Sequence, residues 1–516
     1  MNNEKEFKPY IPADKVLPEL TPVSIILGIL LAVVFGGANA YLGLRVGMTV
    51  SASIPAAVIS MGIIRVILRR DSILENNMVQ TIGSAGESLA AGAIFTLPAL
   101  FMWAEEGGTS MPSLVEIALI ALIGGVIGVM FMIPLRSALI VQEHGKLPYP
   151  EGKACAEVLV AGEEGGIISL VKNLPLIAKT FRQALKSYGS KGNGDNSRLN
   201  KDIPMNIVIL TIGIMAIIMW LVPAVPVNLL GAIIIVIFGF FFATVSSRMV
   251  GIVGSSNNPV SGMAIATLLI TTMILKATGT IGMPGMVASI AIGSVICIIA
   301  AIAGDTSQDL KTGYLVGATP WKQQVGEIIG VAASAIAIGG VLYLLNAAWS
   351  YGSSAIPAPQ ATLMKMVVEG VMGGNLPWVL VFAGVGIAVV VEILGIPVLP
   401  FAVGLYLPIY LSTPMIVGGL IRLYFDKKKG ESEEEKKRKV ENGVLYSSGL
   451  IAGEGLVGIL LAVCAVIPFK GETFADAFNL SAIFGFSLGN IGGLVFFALL
   501  AVTLILFIRG KKKKEN

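Results

Sequence analysis

The sequence predicts an all-α polytopic membrane protein with about fourteen transmembrane helices, two re-entrant or half-helix segments and an internal repeat. Three observations predict it. The chain is 55% hydrophobic and 13% charged, with a mean hydropathy of +0.83, where soluble domains carry about 25% charged residues. Its apolar runs reach the ~20 residues that a spanning helix needs, far beyond a barrel strand. Its 61 glycines suit helices that approach closely in lipid, where apolar surface gives no drive to associate.

Taken in order, residues 1–20 are polar with scattered prolines and no apolar core, which predicts a cytoplasmic tail and no cleavable leader. A first membrane block, 21–165, has spans near 22–44, 46–68, 76–103 and 113–135, then a segment at 137–165 broken by Gly and Pro and read as re-entrant. A basic loop follows at 166–203. The second block, 204–425, has spans near 204–222, 226–246, 257–276, 281–303, 324–346, 356–372, 377–395 and 398–424, with 304–322 as a second re-entrant piece. A charged loop at 426–441, whose run Glu431–Lys439 predicts solvated coil, precedes the final block 442–508, with spans 442–467 and 482–508, and a basic tail at 509–516.

Charge fixes the expected orientation. Arg65, Arg69 and Arg70, the basic residues of 166–203, Lys436–Lys439 and Lys511–Lys514 all belong on the cytoplasmic side by the positive-inside rule. The acidic or neutral turns Glu105–Gly108, Ala347–Pro359 and Gly471–Asp476 fall opposite. Both termini are then cytoplasmic, provided 137–165 and 304–322 each enter and leave on one side. The net charge of +4 is absorbed by these loops, so no nucleic-acid partner is expected.

Some positions recur. Gly43-Leu44-Arg45 leads through Pro55 to Arg65, and Gly404-Leu405-Tyr406 leads through Pro414 to Arg422. Then Glu75-Asn76-Asn77 precedes Gly86-Glu87, as Glu441-Asn442-Gly443 precedes Gly453-Glu454. The shared order predicts a direct repeat, an arrangement that in secondary transporters puts the binding site between the copies.

Glu87 and Glu454 interrupt apolar runs. A lone charge at bilayer depth costs at least ~2.5–3.5 kcal/mol, so their presence points to an ion, proton or polar-solute pathway. Glu327, in Gly326-Glu327-Ile328-Ile329-Gly330, repeats the pattern nearer the cytoplasmic side. These three are the proton-coupling candidates; the alternative is a protonated glutamate bonded to a neighbouring helix. Lys365 and Glu369, four apart, predict a neutral ion pair.

Three polar breaks supply substrate-binding candidates. Leu147-Pro148-Tyr149-Pro150-Glu151-Gly152 precedes a small-residue helix start, whose free amides suit an anionic group; Tyr149 and Glu151 are candidates there. Gly254–Met263 contributes Asn257, Asn258 and Ser261, with Asn258-Pro259 fitting an N-cap followed by proline at the first helical position. Gln308-Asp309-Leu310-Lys311-Thr312-Gly313-Tyr314 contributes Gln308, Lys311 and Tyr314. Broken helices persist at membrane depth only when buried in protein or lining a cavity.

The runs Leu147–Glu157, Gly254–Met263 and Gln308–Leu315 resemble signatures of the oligopeptide transporter (OPT) family. Pro359-Gln360-Ala361, Met364-Lys365 and Leu376-Pro377-Trp378 are closer to its prokaryotic and yellow stripe-like branch. The resemblance covers nearly the whole chain. It implies about sixteen hydrophobic segments and proton-coupled symport of small peptides, or of metals held by amino-acid-derived chelators. The short, plain N-terminus departs from the yellow stripe-like pattern. The family lends no residue-level template, so the candidates rest on their own chemistry.

Other classes are excluded or left as rivals. There is no Walker motif for ATP-driven pumping. A single histidine, His144, leaves no protease dyad and no metal site of its own, and Cys155, Cys297 and Cys464 form no CxxC pair, so they read as packing residues. The chain is expected to be a secondary transporter in the cell (plasma or inner) membrane, not an enzyme, with no cofactor. Its expected partners are a small peptide or peptide-like metal chelate, protons and the lipid bilayer; a homodimer is compatible. A chelate transporter and a polar-solute channel are the rivals, the channel requiring a continuous polar pore.

Overall fold

A computed structural model describes residues 8–70, 72–144, 146–160, 198–406, 409–428, 430, 432–469, 472–477 and 489–509. Most of the expected basic loop 166–203, the tail beyond 509, the end of segment 137–165 and the start of span 482–508 lie outside the described residues.

The described chain is helical almost throughout: α1 (Pro22–Val46), α2 (Ser53–Met61, running into a π-helical turn Gly62–Ile67), α3 (Ile73–Ile94), α4 (Pro98–Glu105), α5 (Leu114–Arg136) and α6 (150–160). Then come α7 (Met205–Leu221), α8 (Leu229–Val253), α9 (Val260–Ala277), α10 (Gly282–Val316), α11 (Pro320–Trp349), α12 (Pro359–Gly373), α13 (Trp378–Ile393), α14 (Val398–Tyr406) and α15 (Ile409–Asp426). α16 (Glu433–Val466), α17 (Phe474–Ala477) and α18 (Gly489–Arg509) complete it. Among the described residues the β structure is one two-residue pair, Pro468–Phe469 with Glu472–Thr473.

Among the described residues, ten helical segments are long and apolar enough to cross a membrane. The protein is an all-α, multi-pass membrane protein. The other four expected spans are short or broken. The 46–68 region is cut by Gly47, which ends α1 at φ 77°. α12 has 15 residues between Pro359 and Gly374, and α13 has 16 after Pro377. The 398–424 segment is divided between α14 and α15.

Two further expectations change. Segment 304–322 is not a separate piece: α10 runs unbroken for 35 residues, ~52 Å at 1.5 Å per residue against a ~30 Å apolar core. After Pro284 no proline interrupts it before Pro320. Its lower half continues the helix, and a turn at Gly317-Ala318-Thr319 leads into α11. A hairpin tip and a re-entrant loop enter and leave on the same side, so the expected direction of later spans is unaffected. The run Glu433–Lys439 is helix, not coil. Ser432 caps it through the Glu435 amide (3.2 Å), its acids sit in the favourable first turn, and Glu and Lys are good helix formers.

α10 is the central post. It is buried along most of its length, and α3, α5, α8 and α9 surround it. α3 also carries α1 and α11. Small residues set these distances. A Cβ on Gly330 of α11 would stand 2.2 Å from the Ile82 carbonyl oxygen of α3, and one on Gly86 would stand 2.6 Å from Ala32 Cα of α1. α13, α14, α15 and α18 are largely exposed, and α16 joins this group to α1 and α11.

The N-terminal segment is docked. The Tyr10 and Ile11 amides donate to the carbonyls of Leu315 and Val316 (both 3.0 Å), two of the last carbonyls of α10, which a helix end leaves unpaired. Glu19 accepts from the Thr319 amide (2.9 Å) and hydroxyl (2.7 Å), and pairs with Lys322 (3.2 Å) at the start of α11.

Candidate functional site

Three central helices each turn a polar stripe inward. On α3, Gln80, Ser84 and Glu87 fall at i, i+4 and i+7, one helical face. On α10 the same spacing brings Asp305, Gln308, Asp309 and Thr312 together. α11 adds Gln323 and Glu327. Continuous helices satisfy their own backbone, so the side chains alone must find partners, and all nine are buried.

Asp309 is the best supplied. Gln80 Nε2 donates to Oδ1 at 2.6 Å, Ser84 Oγ donates to Oδ2, and Ser53 Oγ reaches Oδ1 at 3.5 Å. Gln323 Nε2 donates to the Asp309 carbonyl at 3.0 Å. Asp305 Oδ1 accepts from Ser255 Oγ at 3.2 Å. Among the described residues, neither carboxylate oxygen of Glu327, nor Asp305 Oδ2, nor Gln80 Oε1 has a partner in hydrogen-bonding geometry.

Two connections between helices close the layer, the second of them a short 3-10 turn at Ser255–Asn257. The turn between α1 and α2 brings the Ala52 amide to Glu87 Oε2 at 3.0 Å, while Asn39 of α1 donates to Oε1 at 2.6 Å. Asn39 in turn accepts from the Val50 amide at 3.1 Å. The turn between α8 and α9, entered at Gly254 with φ 89°, points the amides of Ser255 (3.1 Å) and Ser256 (3.3 Å) at the Glu151 carboxylate. Gln308 links the two turns, accepting from the Ser255 amide (3.0 Å) and donating to Ser51 and Ser53 (3.2 and 3.3 Å).

Four buried carboxylates, those of Glu87, Asp305, Asp309 and Glu327, and the half-buried Glu151 thus belong to one layer. None forms an ion pair with a lysine or arginine among the described residues. Unpaired buried charge is costly, several kcal/mol per ion after relaxation, so this layer is not explained by stability. Glu87 lines two small clefts that share Val50 and Ser51, each with about 20 Å³ of space, room for about one water molecule. One is walled by Phe35, Asn39 and, across the seam, Ser448 and Ile451 of α16. The other is walled by Ser88, Ala91, Ser255, Ser256 and Asn258.

The expected candidates divide. Glu87, Glu151, Gln308 and Glu327 come together. Glu454 does not: it is exposed on α16, while the neighbouring Gly455 and Gly458 face α1. Lys311, Tyr149 and Tyr314 form a separate cluster. The Lys311 ammonium bonds the Ile140 carbonyl (3.3 Å) and His144 Nδ1 (2.8 Å) and lies 5.5 and 5.7 Å from the two tyrosine rings. Asn257 is exposed and bonds Val253 at the end of α8. Asn258 does not cap α9, which begins at Val260 with Pro259 before it. It comes one residue too early and donates to Ser246 instead (2.7 Å). Ser261 lies on the first turn of α9, away from both clefts. Lys365 and Glu369 do pair, at 3.4 Å, with Glu106 closer to the lysine at 2.6 Å.

Sequence reasoning missed Asp305, Asp309, Gln80, Ser84 and Asn39 as site residues. A signal was present: polar residues at helical spacing inside otherwise apolar helices. On α10 it was hidden by dividing the helix at residue 304.

The model of the family described as "OPT oligopeptide transporter protein" matches residues 19–168 and 167–465. A Haemophilus influenzae protein provisionally named an oligopeptide transporter is 29% identical, with 85% of this chain and 95% of that protein covered. The Arabidopsis thaliana protein YSL5, provisionally named a metal-nicotianamine transporter, is 30% identical over 40% of this chain and 31% of its own length. A Saccharomyces cerevisiae protein, YGL114W, with the same provisional name as the Haemophilus one, is 26% identical over 47% of this chain and 36% of its own. With both stretches matched, this chain belongs to the OPT oligopeptide transporter family.

Proposed function

We propose that the chain is a secondary active transporter that carries small oligopeptides across the cell membrane together with protons, with Glu87 as the proton carrier. One observation supports this above others: Glu87 is an ionisable group buried in the membrane body that lines two different clefts. A carboxyl in that position can take a proton from one cleft and release it to the other. The hydroxyls and carboxamides around it, Asn39, Ser51, Ser255, Ser256 and Asn258, offer the uncharged donors and acceptors that a peptide backbone needs. Both termini are assigned to the cytoplasm by loop charge.

A second reading has its own support. The similarity to the plant protein YSL5 favours a metal complex with an amino-acid-derived chelator as solute. Such a chelate shares carboxylate and amine groups with a peptide. A channel has less support: α3 is polar only as far as Ser88, and from Leu89 to Trp103 the α3–α4 segment is apolar save Thr96.

Uptake into proteoliposomes under an imposed pH gradient tests the proposal, with di- to tetrapeptides and ferric or nickel chelates offered in parallel. Peptide accumulation that collapses with a protonophore is expected. Accumulation of chelates alone would select the second reading. Downhill flux of both, insensitive to the gradient, would overturn proton coupling.

A further inference from the structure

We propose that Asp305, Asp309 and Glu327 form a binding site for a hard divalent cation of the Mg²⁺, Ca²⁺ and Mn²⁺ class. One carboxylate oxygen from each lies within 4.8 Å of the other two. Ligands of such ions stand 2.0–2.6 Å from the metal, so two on one ion are at most about 4–5 Å apart. The trio fits that limit without rearrangement of the helices. Asp305 and Asp309, four residues apart, share a face of α10, and Glu327 meets them from α11, so rigid elements hold all three.

A second observation points the same way. Gln80 donates its amide nitrogen to Asp309 at 2.6 Å, which brings its carboxamide to the trio. Its carbonyl oxygen is fully buried and has no partner. Both Glu327 oxygens and Asp305 Oδ2 are likewise unpartnered. Fully buried carboxylate oxygens without hydrogen-bond donors, contributed by two rigid helices, are what an oxygen-liganded cation uses. Serine and glutamine cover Asp309 and Ser255 covers one oxygen of Asp305, whereas no donor stands in hydrogen-bonding geometry to Glu327 among the described residues.

Charge sets the class. Three carboxylates without a lysine or arginine partner among the described residues leave a formal deficit that a divalent ion reduces more than a monovalent one. The group contains no imidazole and no thiol, so the donors are all oxygen and select hard ions over zinc or copper. The scarcity of histidine argues against a transition-metal site and leaves this one untouched. Glu87 belongs to the same layer but is not one of the three ligands, and the proposal stands whether or not solute moves with protons.

The test uses full-length protein in detergent, stripped with chelator, and Mn²⁺ as probe. Free and bound Mn²⁺ are read by electron paramagnetic resonance, with Ca²⁺, Mg²⁺ and Na⁺ as competitors. We expect saturable binding near one ion per chain, displaced by Ca²⁺ or Mg²⁺. Glu327→Gln should weaken it at least ~10-fold, the scale of losing a ligand contact, and Asp309→Asn should do the same. Glu392→Gln, an exposed change on α13, should leave it within twofold. Because Asp309 also anchors Gln80 and Ser84, Glu327→Gln is the decisive variant, and Ca²⁺ should raise the melting temperature of wild type but not of Glu327→Gln. No saturable binding, binding retained in both site variants, or displacement by Na⁺ in preference to the divalent ions would each overturn the assignment. None of these readouts involves transport, so their failure is distinct from failure of the proton–peptide reading.

Discussion

Glu87→Gln is the sharpest probe of the proposed proton carrier, and its cost can be worked from the surrounding donors. The Val50 and Ala52 backbone amides can only donate. Val50 therefore fixes Asn39 with its oxygen towards Val50 (3.1 Å) and its nitrogen towards Glu87 Oε1 (2.6 Å), while Ala52 donates to Oε2 (3.0 Å). Both Glu87 oxygens thus meet donors. A glutamine presents one NH₂, which must face either Ala52 or Asn39, and flipping Asn39 only moves the conflict to Val50. One buried donor is orphaned in every arrangement, at about 1–3 kcal/mol. A protonated Glu87 keeps an accepting lone pair on its hydroxyl oxygen, which a glutamine NH₂ lacks, so glutamine removes the ionisable proton but is the harsher change, and it should displace the 49–52 turn that lines both clefts. We expect folded protein with unfolding free energy lowered by that amount. Accumulation against a gradient should be lost, while solute exchange across the membrane at equal pH persists. A single cysteine at Val50 should label faster in the glutamine background. If Glu87→Gln accumulates solute at the wild-type rate, the reasoning fails, whatever its stability.

Three other outcomes are expected. Glu454→Gln changes an exposed side chain, so stability should move by less than ~0.5 kcal/mol and uptake should be unchanged; a loss equal to that of Glu87→Gln would return α16 to the proton path. Gly330→Ala forces a Cβ to 2.2 Å from the Ile82 carbonyl oxygen, and since backbone faces backbone there, the cost should reach at least ~1–3 kcal/mol, seen as a lower melting temperature. Lys311→Met removes the ammonium that donates to the Ile140 carbonyl and contacts His144 Nδ1, which should cost about 1–3 kcal/mol. It should leave solute affinity within twofold by calorimetry, because Lys311 borders neither cleft.

The class of fold was legible because lipid imposes one simple demand, a long apolar helix, and ten such segments exist. Glu87 was legible for the same reason: a charge in an apolar run stands out against its own neighbours. Glu151 and Gln308 could be picked from the polar breaks, though the amides that meet the Glu151 carboxylate come from Ser255 and Ser256 rather than from the helix start after Pro150. What stayed hidden depends on which helices touch. Nothing local to Gln80 or Ser84 says that α10 will lie beside them, and Asp305 becomes a site residue only across that contact. Glu454 shows the converse. Its sequence surroundings match those of Glu87, but burial is decided by the neighbours of α3 and α16, which the repeat does not share. Helix continuity was misread at 304 because a drop in hydropathy was taken as a break, whereas a helix ends only where backbone geometry or proline ends it.

The docked N-terminal segment carries a consequence for which parts can move. Residues 10–11 tie down the last carbonyls of α10, Glu19 grips the first turn of α11, and Arg198 bridges the Gly317 carbonyl (2.6 Å) and the Pro12 carbonyl (2.9 Å). The two legs of the hairpin are therefore stapled at the tip from outside their own sequence. They should travel as one stiff leaf, and a rocking motion has to open somewhere else. The seam between α1 and α16, where one cleft already reaches Glu87, is the boundary left to hinge. Spin labels across α10 and α11 should then hold a constant separation through the transport cycle while a pair across α1 and α16 changes.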